Sequence, residues 1–137
     1  MEIKAYSLAK DGSKALSNNF RVREFRCQDG SDPIFVDTDL VNVLQQIRDH
    51  FGKPLTITSA YRTAAHNKAV GGATYSQHCY GMAADIRVQG VSVGSVAAYA
   101  ETLLKNKGGI GRYPVKAGRS IGWVHIDVRT TKSRWTL

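Results

Sequence analysis

Leu40, Leu44, Ile47 and Phe51 recur at intervals of three and four along VDTDLVNVLQQIRDHFGKP, a spacing that predicts an amphipathic helix with one apolar face. Asp37 or Thr38 caps its start, and Gly52 followed by Pro54 stops it. The next run, LTITS at 55–59, alternates apolar and hydroxyl side chains, the period of a strand with one buried face. TAAHNKAV then predicts a short helix ending at Gly71 and Gly72, and AADIRV predicts a strand. Val96, Tyr99, Ala100 and Leu103 mark a second amphipathic helix over roughly 95–105, ended by NKGG. GGIGRYP and IGWVHIDVR predict two more strands, joined by a turn near Lys116–Arg119. Residues 1–18 are polar and show no such period, so they are expected to be loosely ordered or laid along the surface. Helices mixed irregularly with short strands predict an α+β fold, a small antiparallel sheet with flanking helices, over a doubly wound one.

No internal repeat and no Pro/Ser-rich linker divides the 137 residues, so one domain spanning 1–137, and a monomer, is the expectation. No apolar run is long enough to cross a bilayer, and membrane insertion is not expected. The opening MEIKAYSLAKDGSKAL has an acidic Glu2 and no apolar leader, which predicts a protein made and kept in the cytoplasm until released. The net charge of +8 attracts polyanions. Lys and Arg are scattered instead of clustered, apart from a mild concentration in RTTKSR, so a nucleic-acid partner is not expected and an anionic cell wall suits the charge better. Cys27 and Cys79 lack CxxC spacing and are expected to be reduced thiols.

The chemistry concentrates in TYSQHCYGMAADI at 74–86, where His78 and Asp85 stand seven positions apart. Both side chains are good ligands for a divalent metal, and a catalytic zinc commonly takes three protein donors plus water. His125, in WVHIDVR, is the best-placed third donor: on a strand its imidazole shares a face with the Asp127 carboxylate. Two nitrogens and one oxygen leave a position for water, whose pKa the metal lowers toward neutrality. Hydrogen-bonded structural histidines are the alternative that spacing alone leaves open.

SQHCYGMAAD matches the SxHxxGxAxD pattern of the M15 peptidases, the zinc D-Ala-D-Ala carboxypeptidases and related peptidoglycan endopeptidases, at Ser76, His78, Gly81, Ala83 and Asp85. ITSAYRTAAHNKAVGGA resembles the segment that precedes this motif in the family, and GIGRYP with GWVHIDVR resembles its C-terminal strand pair. The likeness runs roughly from Asn19 to Arg129. It implies a Zn2+ cofactor held at the sheet by His78, Asp85 and His125, and peptidoglycan as the partner. Arg62 matches the arginine that family members aim at a substrate carboxylate or carbonyl, a group a guanidinium grips at two points. Ser76 orients His78 or simply caps a turn. The bond cut, terminal or internal to the stem peptide or cross-bridge, is left open. Lack of a leader and of wall-binding repeats resembles phage endolysins that await a holin.

The chain departs from the family at one position. Many members carry an acidic general base three residues before the last zinc histidine, and here that residue is Gly122. Asp127 is then either the substitute base or the partner that orients a ligand histidine. A non-catalytic wall-binding module of the same fold is the rival that a missing base permits. Tyr113 either polarises a substrate carbonyl or packs, Trp123 and Trp135 either stack on a sugar or fill the core, and Cys79 is expected to diverge from His78. His50 suits a helix C-terminus, and His66 is expected to be solvated instead of serving as a fourth ligand.

Overall fold

Leu40, Leu44 and Ile47 are all buried, and each contributes about 1.5–3 kcal/mol by leaving water. They belong to a computed structural model that describes residues 2–137. In chain order its elements are β1 (Ile3–Ser7), α1 (Leu8–Asp11), β2 (Pro33–Asp37), α2 (Thr38–Phe51), β3 (Leu55–Ser59), α3 (Ala64–Ala69), β4 (Ala83–Val88), α4 (Val93–Leu103), β5 (Gly109–Tyr113), β6 (Trp123–Asp127) and β7 (Ser133–Thr136). Single 3-10 turns lie at Val22–Phe25 and Gln77–Tyr80. The fold is α+β. No helix among the described residues is long and apolar enough to cross a membrane.

Helix α2 begins where Asp37 Oδ1 accepts the Asp39 N–H at 2.8 Å. It ends at Gly52, whose φ of 62° only glycine adopts without strain and whose N–H bonds the Arg48 carbonyl. His50, in its last turn, stacks on Tyr99 of α4 at 3.7 Å between ring centres, fastening the two helices.

The main sheet has the order β3-β4-β6-β5-β7, antiparallel throughout except for the parallel β5–β7 pair. Its period-two alternation sorts the central strands into two faces. Ala84, Ile86, Val124, Ile126 and Ile110 enter the core with the apolar stripes of α2 and α4. Asp85, His125 and Asp127 stand on the opposite face, so one side of the sheet makes the core and the other makes the site.

Three short strands escaped the sequence pattern. Residues 3–7 are an exposed strand paired with Pro33–Asp37, so the opening segment lies along the surface as an ordered ribbon and is not loose. The parallel edge strand β7 makes the sheet mixed where an antiparallel one was expected. α4 also starts and ends two residues earlier than its periodicity suggested, because Ser92 caps it by accepting the Ser95 N–H.

Candidate metal centre

Asp85 on β4 and His125 on β6 are registered partners, so their side chains rise side by side from the same face. The row continues across the sheet as Ser59, Asp85, His125, Gly111 and Trp135. His78 arrives from outside the sheet, on the 3-10 turn at 77–80. Ser76 caps that turn, its Oγ accepting the His78 N–H at 3.3 Å, and Gly81 closes it in the left-handed region at φ 73°. A side chain at Gly81 would meet the Phe35 carbonyl oxygen at 2.4 Å, so backbone conformation and space both require glycine there.

The donors converge. Asp85 Oδ1 lies 3.3 Å from His78 Nε2 and 3.2 Å from His125 Nδ1. The ligating atoms of the three residues all fall within 4.8 Å of one another. Donors at zinc bonding distance in a tetrahedron stand roughly 3.3–3.6 Å apart, so the spacing suits one small cation. The other ring nitrogens are committed. His78 Nδ1 is 2.7 Å from the Ala60 carbonyl, an acceptor, so this nitrogen carries the hydrogen and leaves the Nε2 lone pair facing Asp85. His125 Nε2 is 2.7 Å from Asp127 Oδ2, which by the same reasoning directs the Nδ1 lone pair inward. Two imidazole lone pairs aimed at one carboxylate oxygen repel it unless a cation sits between them. The residues therefore fit a divalent metal.

Electrostatics favour positive charge at the same place. Burial pushes the Asp85 carboxyl upward, but the adjoining His125 and His78 outweigh it and hold the group far below the usual carboxylate range. Burial pushes His125 downward, yet Asp127 and Asp85 on either side outweigh it and raise it.

Asp127 is fully buried. Its Oδ1 accepts from the Gly109 N–H at 2.9 Å, the Arg129 N–H at 3.1 Å and Arg129 Nε at 2.8 Å. Its Oδ2 takes His125 and, at 2.6 Å, Arg129 Nη2. Burial alone would raise this carboxyl, but His125 and Arg129 hold it well below the usual range. A base must be exposed to the water it deprotonates. Of the two roles open for Asp127, substitute base or partner of a ligand histidine, its geometry is that of the second, a residue that fixes the tautomer and tilt of His125. Glycine makes room for it, since a Cβ at Gly109 would lie 2.1 Å from Asp127 Oδ2.

Arg62 follows β3, with Nε donating to Ser59 Oγ at 3.2 Å and Nη1 to Asn67 Oδ1 at 3.2 Å. Its Nη2 stands 3.6 Å from Asp85 Oδ2, beside the donors and at the edge of a cleft of about 570 Å³. Tyr113 stacks on Trp123 at 4.8 Å, and its hydroxyl accepts the Trp135 Nε1–H at 2.9 Å. Trp135 covers Gly111, where a Cβ would come within 2.5 Å of the indole, and stands 5.0 Å from the His125 ring. These three aromatic residues line the cleft, as does the loop that carries Tyr75. Gly122 carries no base and has no room for one: a Cβ there would meet the Tyr113 carbonyl oxygen at 2.5 Å.

Two positioning residues were missed in the sequence. Arg129 follows His125 and Asp127 at strand spacing, a signal that was present. Asn67 is buried and ties Arg62 to the Ala73 carbonyl, which nothing in its local sequence reveals.

Three protein donors on a cleft, with their second nitrogens held by acceptors, are the arrangement of a metal-dependent hydrolase. The model of the Peptidase M15 family matches residues 17–127, most of the chain, and the protein belongs to that family. M15 members are metallopeptidases, and His78, Asp85 and His125 form a group that could hold a metal ion. None of the curated proteins matches the chain.

Proposed function

We propose that the protein is a zinc-dependent peptidase that hydrolyses peptide bonds in bacterial peptidoglycan, within stem peptides or their cross-links. The observation that carries this reading is the convergence of His78, Asp85 and His125 beside Arg62 at the cleft of an M15 chain. A bound zinc ion supplies Lewis acidity toward the scissile carbonyl and a water of lowered pKa. The chain's own residues do the rest. Asp127 and the Ala60 carbonyl hold the two imidazoles in the tautomers that ligate, and Ser76 fixes the turn that carries His78. Arg62, already braced by Ser59 and Asn67, offers a guanidinium to a substrate carboxylate or carbonyl, groups in which stem peptides are rich. The Tyr113, Trp123 and Trp135 wall flanks the peptide. The net charge of +8 draws the protein to an anionic wall, which it reaches after release from the cytoplasm.

One observation favours a second reading, a zinc-containing wall-binding module without turnover. Among the described residues lining the cleft, Asp85 is the only one with a carboxylate side chain, and Gly122 has no space for another. The experiment is digestion of purified peptidoglycan by zinc-loaded and chelator-stripped protein, with products identified by mass spectrometry and zinc content measured in parallel. Zinc-dependent fragments establish the peptidase and their masses name the bond. Stoichiometric zinc, retained binding to the wall and no fragments establish the module.

A further inference from the structure

The segment Tyr61–Thr63, which presents Arg62 to the cleft, is hydrogen-bonded to two different neighbours. The Arg62 N–H bonds the His78 carbonyl at 3.1 Å, whereas the Tyr61 N–H bonds the Phe25 carbonyl at 3.2 Å and the Thr63 N–H reaches Cys27 Sγ at 3.5 Å. Beside Cys27 a second set of metal-type donors gathers. Cys27 Sγ, an Asp29 carboxylate oxygen and a ring nitrogen of His66 lie within 4.8 Å of one another. None of the three belongs to the His78, Asp85 and His125 group.

Thr63 organises this cluster. Its Oγ1 donates to Asp29 Oδ2 at 3.0 Å and accepts the His66 N–H at 3.1 Å, while its own N–H points at the Cys27 sulfur. Hydrogen bonds, chiefly from Ser31 with Cys27 and Thr63 adding to them, hold the Asp29 carboxyl below the usual range, so it is ionised at neutral pH. Cys27 is fully buried, His66 half-buried and Asp29 exposed, which gives the cluster a closed floor and an open side for water. The thiolate, a soft donor, and the imidazole, a borderline one, select zinc-class cations over magnesium or calcium, and zinc accepts a carboxylate oxygen beside them.

The geometry points to a second, structural metal site at Cys27, Asp29 and His66, which takes a zinc-class divalent cation and completes its shell with water. Binding releases the Cys27 thiol proton to solvent, because only the thiolate ligates. The site joins the loop after the first 3-10 turn to α3. That helix follows Arg62 directly and contains Asn67, which braces it, so the cation stiffens the support of Arg62 without touching substrate. His66 thus acquires a ligand role at a site separate from the cleft.

Cobalt(II) distinguishes the two sites, because the cleft donors contain no sulfur. Chelator-stripped full-length protein, kept reduced with a phosphine, is titrated with Co2+ while metal uptake and absorbance are followed. We expect two equivalents bound and a thiolate-to-cobalt charge-transfer band in the near ultraviolet that saturates with one of them. Cys79→Ser keeps the band, and Cys27→Ser abolishes it. His66→Ala, at a half-exposed position where folding is not at stake, weakens the equivalent that carries the band at least ~10-fold. Absence of the band from the wild-type protein, or its loss in Cys79→Ser with retention in Cys27→Ser, overturns the proposal. A single bound equivalent that carries the band supports this site while removing the metal from the cleft, so the two readings fail separately.

Discussion

Asp85 and His125 face each other across β4 and β6 with Oδ1 3.2 Å from Nδ1, and the imidazole is pinned from behind by Asp127 at 2.7 Å. This relay sets how well the third donor is aimed. Asp127→Asn removes the charge that holds the tautomer of His125 and leaves Arg129 without its two-point partner. Loss of such an outer partner costs about 10–100-fold in metal affinity. Competition with a chromophoric chelator measures it. Unchanged affinity in Asp127→Asn would show that His125 is aimed without it.

Restoring an acidic residue at Gly122 is expected to damage the protein instead of improving it. A Cβ there meets the Tyr113 carbonyl oxygen at 2.5 Å and Val93 Cγ2 at 2.8 Å, and the first of these is backbone that cannot swing aside. Overpacking of this kind costs about 1–3 kcal/mol. Gly122→Asp should therefore lower the unfolding free energy read from urea denaturation by that amount, with m unchanged, and leave any peptidoglycan hydrolysis no faster. A faster Gly122→Asp enzyme of undiminished stability would mean that the β5–β6 connection yields to the new side chain.

Much of this arrangement was legible before the structure. The stripe of α2 is one-sided, and strand alternation placed His125 and Asp127 on one face, because both patterns are local. Extending that alternation two residues would have reached Arg129. β1 and β2 were not legible: IKAYS and PIFVD are short, and each is a strand because the other pairs with it. β7 depends likewise on its parallel partner β5. The glycines of GGIGRY suggested only the end of a helix and the start of a strand. Their reason is what lies over them, the Asp127 carboxylate on Gly109 and the Trp135 indole on Gly111, and that is a property of tertiary structure.

Arg62 should act on substrate and not on the metal. Its guanidinium is held by Ser59 and Asn67 in a fixed plane, which lysine cannot reproduce. If it grips a substrate carboxylate, Arg62→Lys loses a charged two-point contact worth about 1.5–3 kcal/mol, or about 10–100-fold in kcat/KM. Zinc content stays at the wild-type value. Steady-state kinetics on a defined stem peptide with parallel metal analysis separates the effects, and a loss of zinc in Arg62→Lys would assign the residue to the metal centre instead.

Asp37 carries a pH dependence of stability distinct from the metal centre. Its side chain is fully buried; Oδ1 caps α2, but Oδ2 has no hydrogen-bond partner among the described residues. Burial dominates and raises its pKa above the ordinary carboxylate value, with the bond from Asp39 opposing. A carboxyl with a raised folded pKa contributes stability that is fully present below its unfolded pKa, about 3.9, and is lost as pH rises through the folded pKa. Asp37→Asn keeps an acceptor for the cap and has no charge to bury. Its stability relative to the wild-type protein should therefore increase as pH is stepped from about 4 to 7, read from urea midpoints. A difference between the two proteins that stays constant over that range would show that Asp37 titrates alike in the folded and unfolded chains, and that the unpartnered oxygen is solvated by water entering at the start of α2.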